Sequence, residues 1–105
     1  MPMSKDIPFY YFLGTAYRIK GKYKKAIGLA KEALKSSPDQ LEAYLLLVVS
    51  YRLSNRLKEA HEASEEVLRI DPNFSVEYFK KMLPYKHQGN VDEIIESLRK
   101  AGLPD

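Results

Sequence analysis

Large apolar side chains recur at three- and four-residue spacing through most of the chain. Tyr10, Leu13, Gly14 and Tyr17 make one such stripe, and Tyr44, Leu47, Val48 and Tyr51 make another, which is the period of a helix with one face turned inward. A first helix is predicted from about Pro8 to Ile19, because proline is favoured at a first helical position and Gly21 is a stop. A second, from about Tyr23 to Lys35, lines up Ala26, Ala30 and Ala33. Small residues opposite large ones let antiparallel helices interdigitate. Ser37-Pro38-Asp39-Gln40 has the form of a capping box, so a third helix is predicted to start there and run to about Leu53. Its middle, Tyr44 to Val49, is apolar on every side, which means burial on more than one face or one face offered to a ligand. After a turn at Ser54-Asn55, a fourth helix is predicted from about Leu57 to Ile70, with Ala60, Val67 and Leu68 inward and Glu59, Glu62, Glu65 and Glu66 outward.

These elements repeat. At an offset of 34, Tyr44, Leu47, Tyr51, Ala60, Leu68 and Pro72 fall on Tyr10, Leu13, Tyr17, Ala26, Leu34 and Pro38, while Tyr78 and Tyr85 continue the series downstream. The third unit departs from the others: Lys81 and Met82 stand at the Leu-Gly position, Ile94 replaces the alanine, and Pro84 falls in a helix interior, where it costs about 3 kcal/mol. A short fifth helix (about Val76 to Leu83), a loop through His87-Gln88-Gly89 and a sixth helix (about Val91 to Ala101, capped by Asn90 with Glu93) are expected. The fold predicted is an all-α, right-handed α-solenoid of three helical hairpins, the last distorted at Pro84. Its units span 7–40, 41–74 and 75–105 of one domain.

The period and these residues resemble the tetratricopeptide repeat. Its pattern of an aromatic, a Leu-Gly pair, a Tyr, an Ala, small or apolar residues and a closing Pro is met by Tyr10, Leu13, Gly14, Tyr17, Ala26, Ala33 and Pro38. Repeat two keeps Tyr44, Leu47, Tyr51, Ala60 and Pro72, with Val48 at the glycine position. The run from Val76 to Lys86, closing in Leu98-Arg99-Lys100-Ala101-Gly102-Leu103-Pro104, is similar to the last repeat of arrays on bacterial adenylate and guanylate cyclases and related signalling proteins. The resemblance implies a scaffold that binds protein or peptide segments, and a scaffold does not by itself specify its partner. Some family members clamp chaperone carboxyl ends with lysines and asparagines; of the matching Tyr11, Thr15, Leu46, Val76 and Lys80, Lys80 alone agrees, which disfavours that ligand.

Charge adds an asymmetry. Residues 1–38 carry +6, residues 39–74 carry −3, and the remainder balances. A basic end with interleaved tyrosines admits two alternative readings, nucleic-acid binding and head-to-tail self-association with the acidic fourth helix into a homo-oligomer. A solvated lysine-rich helix face accounts for it as well, and Tyr10 and Tyr17 already belong to the inner stripe, so nucleic acid is disfavoured. The absence of cysteine closes off disulfide and thiolate chemistry. His61-Glu62-Ala63-Ser64-Glu65 has a glutamate where a zinc-protease helix needs its second histidine, and His87 reads as a loop residue. With no phosphate loop and no nucleophile–base set, a non-enzymatic chain without metal or cofactor is expected. The short, interrupted apolar stretch at the amino end suits neither a signal peptide nor a membrane span, so a cytoplasmic chain without a membrane partner is expected.

The candidate site is a second face of the first helix in each pair, turned about 100 degrees from the core stripe and, in this family, lining the concave side. It carries Tyr11, Thr15, Arg18 and Ile19, then Leu45, Val49, Arg52 and Leu53, then Phe79, Leu83 and Lys86, with Arg18, Arg52 and Lys86 spaced by 34. An exposed apolar floor with one cation per repeat suits a segment with apolar anchors and acidic neighbours. On that reading the fold tolerates a charge at Val49. Solvation of helix ends explains the cations equally well.

Overall fold

In a computed structural model, which describes residues 8–83 and 88–105, the described residues form six helices and no strand: α1 Phe9–Ile19, α2 Tyr23–Ser36, α3 Leu41–Leu53, α4 Leu57–Ile70, α5 Val76–Met82 and α6 Gln88–Lys100. No helix among these residues is long and apolar enough to cross a membrane.

Three boundaries differ from the sequence reading in ways that bear on packing. Ser37 is the extended residue after α2, and α3 starts at Leu41. The expected capping box is not formed, because Gln40 donates its side-chain amide back to the Ala33 carbonyl (3.4 Å) and Asp39 accepts from Arg69 (3.0 Å). α5 stops at Met82 with Leu83 extended, as the residue before a proline prefers. α6 starts at Gln88, so Gln88 and Gly89 are helical and Asn90 lies inside the helix instead of capping it. Pro84, Tyr85, Lys86 and His87, with the distortion expected at Pro84, lie outside the described residues.

The two regular hairpins, α1–α2 and α3–α4, pack through small side chains. Ala26, Ala30, Ala60 and Ala63 are buried, and a Cβ at Gly14 would run into the buried Leu46 side chain. α2 and α1 both lie against α3. Consequently α3 is the core of the molecule, buried at ten of its thirteen residues, and its all-round apolar middle is packed on every side.

The third pair does not lengthen this stack. α5 makes little contact with α4, the helix it follows, and packs on α6, which in turn lies over α3. Partners change in order along α6: Glu93 meets Arg18 of α1, Glu96 lies near Arg52 of α3, and the Ala101 carbonyl accepts from Ser64 of α4. The helix therefore runs across α1 and α3, with the residue after its end bonded to α4, and the molecule measures 31 × 30 × 28 Å.

α6 also ends in the manner of α1 and α3. Gly21, Asn55 and Gly102 each have positive φ (77°, 64° and 111°). The residue after each donates to a carbonyl five positions back, at 2.8, 2.8 and 3.1 Å. This is the left-handed cap that favours glycine or asparagine. The α6 stripe Val91, Ile94, Ile95 and Leu98, followed by Arg99, repeats Tyr44, Leu47, Val48, Tyr51 and Arg52 at a spacing of 47, not 34.

Glu42, in the first turn of α3, is 8% exposed, and burial raises its carboxyl above the usual range; the buried Tyr10 hydroxyl is pushed up by its own burial and then by the Glu42 charge. A carboxyl whose folded value is raised takes up a proton more readily when folded, so its share of stability is present at low pH and lost as pH climbs through the raised value. Although an acid in a first turn gains from the helix dipole, here desolvation dominates. Glu42→Gln is expected to raise Tm at pH 7 and to leave it nearly unchanged at about pH 3, as thermal melts at both values would show.

Candidate functional site

The sequence places eleven residues on the concave face, and the structure brings most of them together under a cover. Tyr11, Thr15, Arg18, Leu45, Val49 and Phe79 are all buried. Arg52, Leu53 and Leu83 are half-buried, Ile19 is exposed, and Lys86 lies outside the described residues. The open floor expected from the sequence is thus closed within the chain, because α5 and α6 carry their own apolar stripes and bury them against it.

Over the amino-terminal half of α1 the cover is Phe79 of α5, whose ring meets Tyr11 edge-on at 6.5 Å and Phe74 at 6.0 Å. Toward the carboxyl ends of α1 and α3 the cover is α6, which buries Val91, Ile94, Ile95 and Leu98. Its tail is tied down at several points. Ser64 Oγ donates to the Ala101 carbonyl at 2.9 Å, and His61 Nδ1 lies 3.2 Å from the same oxygen, which requires the proton on Nδ1. Val76 N donates to the Pro104 carbonyl at 2.8 Å, and Arg99 joins Glu77 and Asp105. His61 thereby serves to hold the end of α6.

The electrostatics follow the same seam. Arg18 is 2% exposed, and its Nη1 donates to Glu93 Oε1 at 2.5 Å, while the buried Nη2 has no hydrogen-bond partner. Taking a guanidinium out of water is costly, and a carboxylate offsets that cost only where it stays close. Arg52 borders a cleft of about 410 Å³ between α3 and α6, shared with Asp92, Glu93, Glu96 and Lys100. There the Glu96 carboxyl is held below its usual range by its hydrogen bond from Lys100, with a smaller contribution from Arg52. The face therefore accommodates an apolar helix with acids along one flank.

Glu93, Ile94, Glu96 and Leu98 are the residues missed from the sequence, because the 34-residue register assigned α6 to the second helix of a hairpin. A usable signal was present: Tyr17-Arg18 before Gly21, Tyr51-Arg52 before Asn55 and Leu98-Arg99 before Gly102 share one ending. Among the described residues no group of three or more His, Asp or Glu side chains is placed to hold a metal ion. A family model described as tetratricopeptide repeat matches residues 17–83. A comparison with curated proteins finds no match.

Proposed function

The chain belongs to the tetratricopeptide repeat family, whose repeats generally mediate protein–protein interaction, and from that premise we propose that it is a non-enzymatic module gripping a protein segment on the concave face of its first two hairpins. The segment has apolar anchors and acidic neighbours, Tyr11, Thr15, Arg18, Leu45, Val49 and Arg52 form the receiving surface, and Phe79 of α5 borders it. The observation that carries this reading is the buried Arg18 meeting Glu93 of a helix laid across the face. α6 is then the chain's own occupant, and a partner of the same chemistry competes with it. Affinity comes mainly from the anchors, since a fully buried aliphatic contributes about 1.5–3 kcal/mol and a partly exposed ion pair about 1 kcal/mol at most.

A fluorescein-labelled peptide of residues 88–105, added to the intact chain, tests the proposal. The chain carrying Glu93→Ala holds its own helix less firmly, so it should bind the peptide about tenfold more tightly than the unaltered chain. Replacing Ile94 and Leu98 of the peptide by alanine should abolish binding, whereas added salt should only weaken it. A peptide bound by neither chain, or equally by both, sinks the reading.

A further inference from the structure

A second surface lies away from the concave face, at the edge where α1 turns into α2 and α3 into α4. A cleft of about 540 Å³ is lined there by Lys22, Lys24, Lys25 and Arg56 around Tyr23 and Ile27. Ile27 is buried as its floor and Tyr23 is half-buried at its side. Two of the four cations are pinned by aromatic rings: Lys25 Nζ sits 5.5 Å from the centre of Tyr17, and the Arg56 guanidinium lies 4.8 Å from that of Tyr51. Arg56 is also paired with Glu59, so its charge is already balanced. Among the described residues no carboxylate lies within ion-pairing distance of Lys22, Lys24 or Lys25. The edge thus presents three uncompensated positive charges around an apolar floor, in the part of the chain whose charge is +6.

We propose that this edge docks an acidic segment of a partner protein. One aliphatic or aromatic side chain of the segment enters against Ile27 and Tyr23, and its flanking carboxylates meet Lys22, Lys24 and Lys25. Charge complementarity selects the acidic partner, and the apolar floor selects a protein over a phosphate polymer. A nucleic-acid backbone needs a continued track of cations and gains nothing from a buried aliphatic, whereas an inserted side chain gains by leaving water. Lys25, already held by the Tyr17 ring, loses less freedom when the segment arrives. The surface is separate from the concave face and does not depend on how that face is occupied.

The test is fluorescence anisotropy on the intact chain at about 50 mM salt, where exposed charges are little screened. The probe is a labelled peptide of Asp, Glu and Gly with a single central Leu. Binding is expected, weakened about tenfold or more by Lys22→Glu with Lys24→Glu, as two exposed pairs allow. The peptide with Ser for Leu should also bind several-fold less tightly. Lys31→Glu with Lys35→Glu changes net charge equally on exposed positions outside the cleft and should leave binding unaltered. Circular dichroism confirms that each variant is folded. The proposal is overturned if the peptide does not bind, if both charge-reversed pairs weaken it equally, if Ser for Leu makes no difference, if a thymidine oligonucleotide of the same length binds more tightly, or if the signal reflects dimerisation of the chain in sedimentation.

Discussion

Val49→Asp is expected to abolish cooperative folding. Val49 is 1% exposed, on the α3 face covered by the third pair. Replacing it removes most of a buried aliphatic, about 1.5–3 kcal/mol, and takes a carboxylate out of water, which costs several kcal/mol more. A domain of this size has about 5–15 kcal/mol in total, so the sum consumes most or all of it. On an open groove floor the same change would alter stability by no more than about 0.5 kcal/mol. Urea unfolding followed by circular dichroism separates the two: a sigmoid transition like that of the unaltered chain would mean that Val49 faces water.

The second large effect is an inequality at the Arg18–Glu93 pair. Glu93→Ala strands a buried guanidinium. Breaking a fully buried pair costs about 3–5 kcal/mol, but Glu93 is 45% exposed and water screens part of the charge, so about 1–3 kcal/mol is expected. Arg18→Met keeps the bulk and removes the charge along with its desolvation cost, so it should be nearly neutral, within about 1 kcal/mol, or stabilising. In the Arg18→Met background, Glu93→Ala should cost little. Denaturation of the four chains closes the cycle, and a larger loss from Arg18→Met than from Glu93→Ala would show that Arg18 is not buried against α6.

The first two hairpins were legible in the sequence because local periodicity alone specifies them: the Tyr-Leu-Gly-Tyr stripe of α1, the alanines of α2 and the glutamate-rich outer face of α4 all need no distant partner to be read. The all-round apolar middle of α3 was legible as an alternative, several buried faces or one face for a ligand, and the choice depends on where α6 goes. That was not legible from the 34-residue register, which set Ile94 against Ala60 and treated α6 as a second helix. Arg18 shows why composition misleads at the site. An arginine at the end of a helix is usually solvated or complements the dipole, and its burial depends on Glu93, 75 positions away in sequence. Glu93 was read locally as half of a cap with Asn90, and Gln40 as part of a capping box. Both side chains are instead committed to other helices, Glu93 to α1 and Gln40 to the end of α2, and such contacts have no signature within a short window.

The third pair folds over the concave face of the first two hairpins, and proton–proton Overhauser contacts in the intact chain test this fold directly. Cross-peaks are expected between the Tyr11 and Phe79 rings, whose centres are 6.5 Å apart edge-on, and between the Arg18 and Glu93 side chains. Absence of both sets, with the Phe79 ring reporting contacts to α4 in their place, would contradict it.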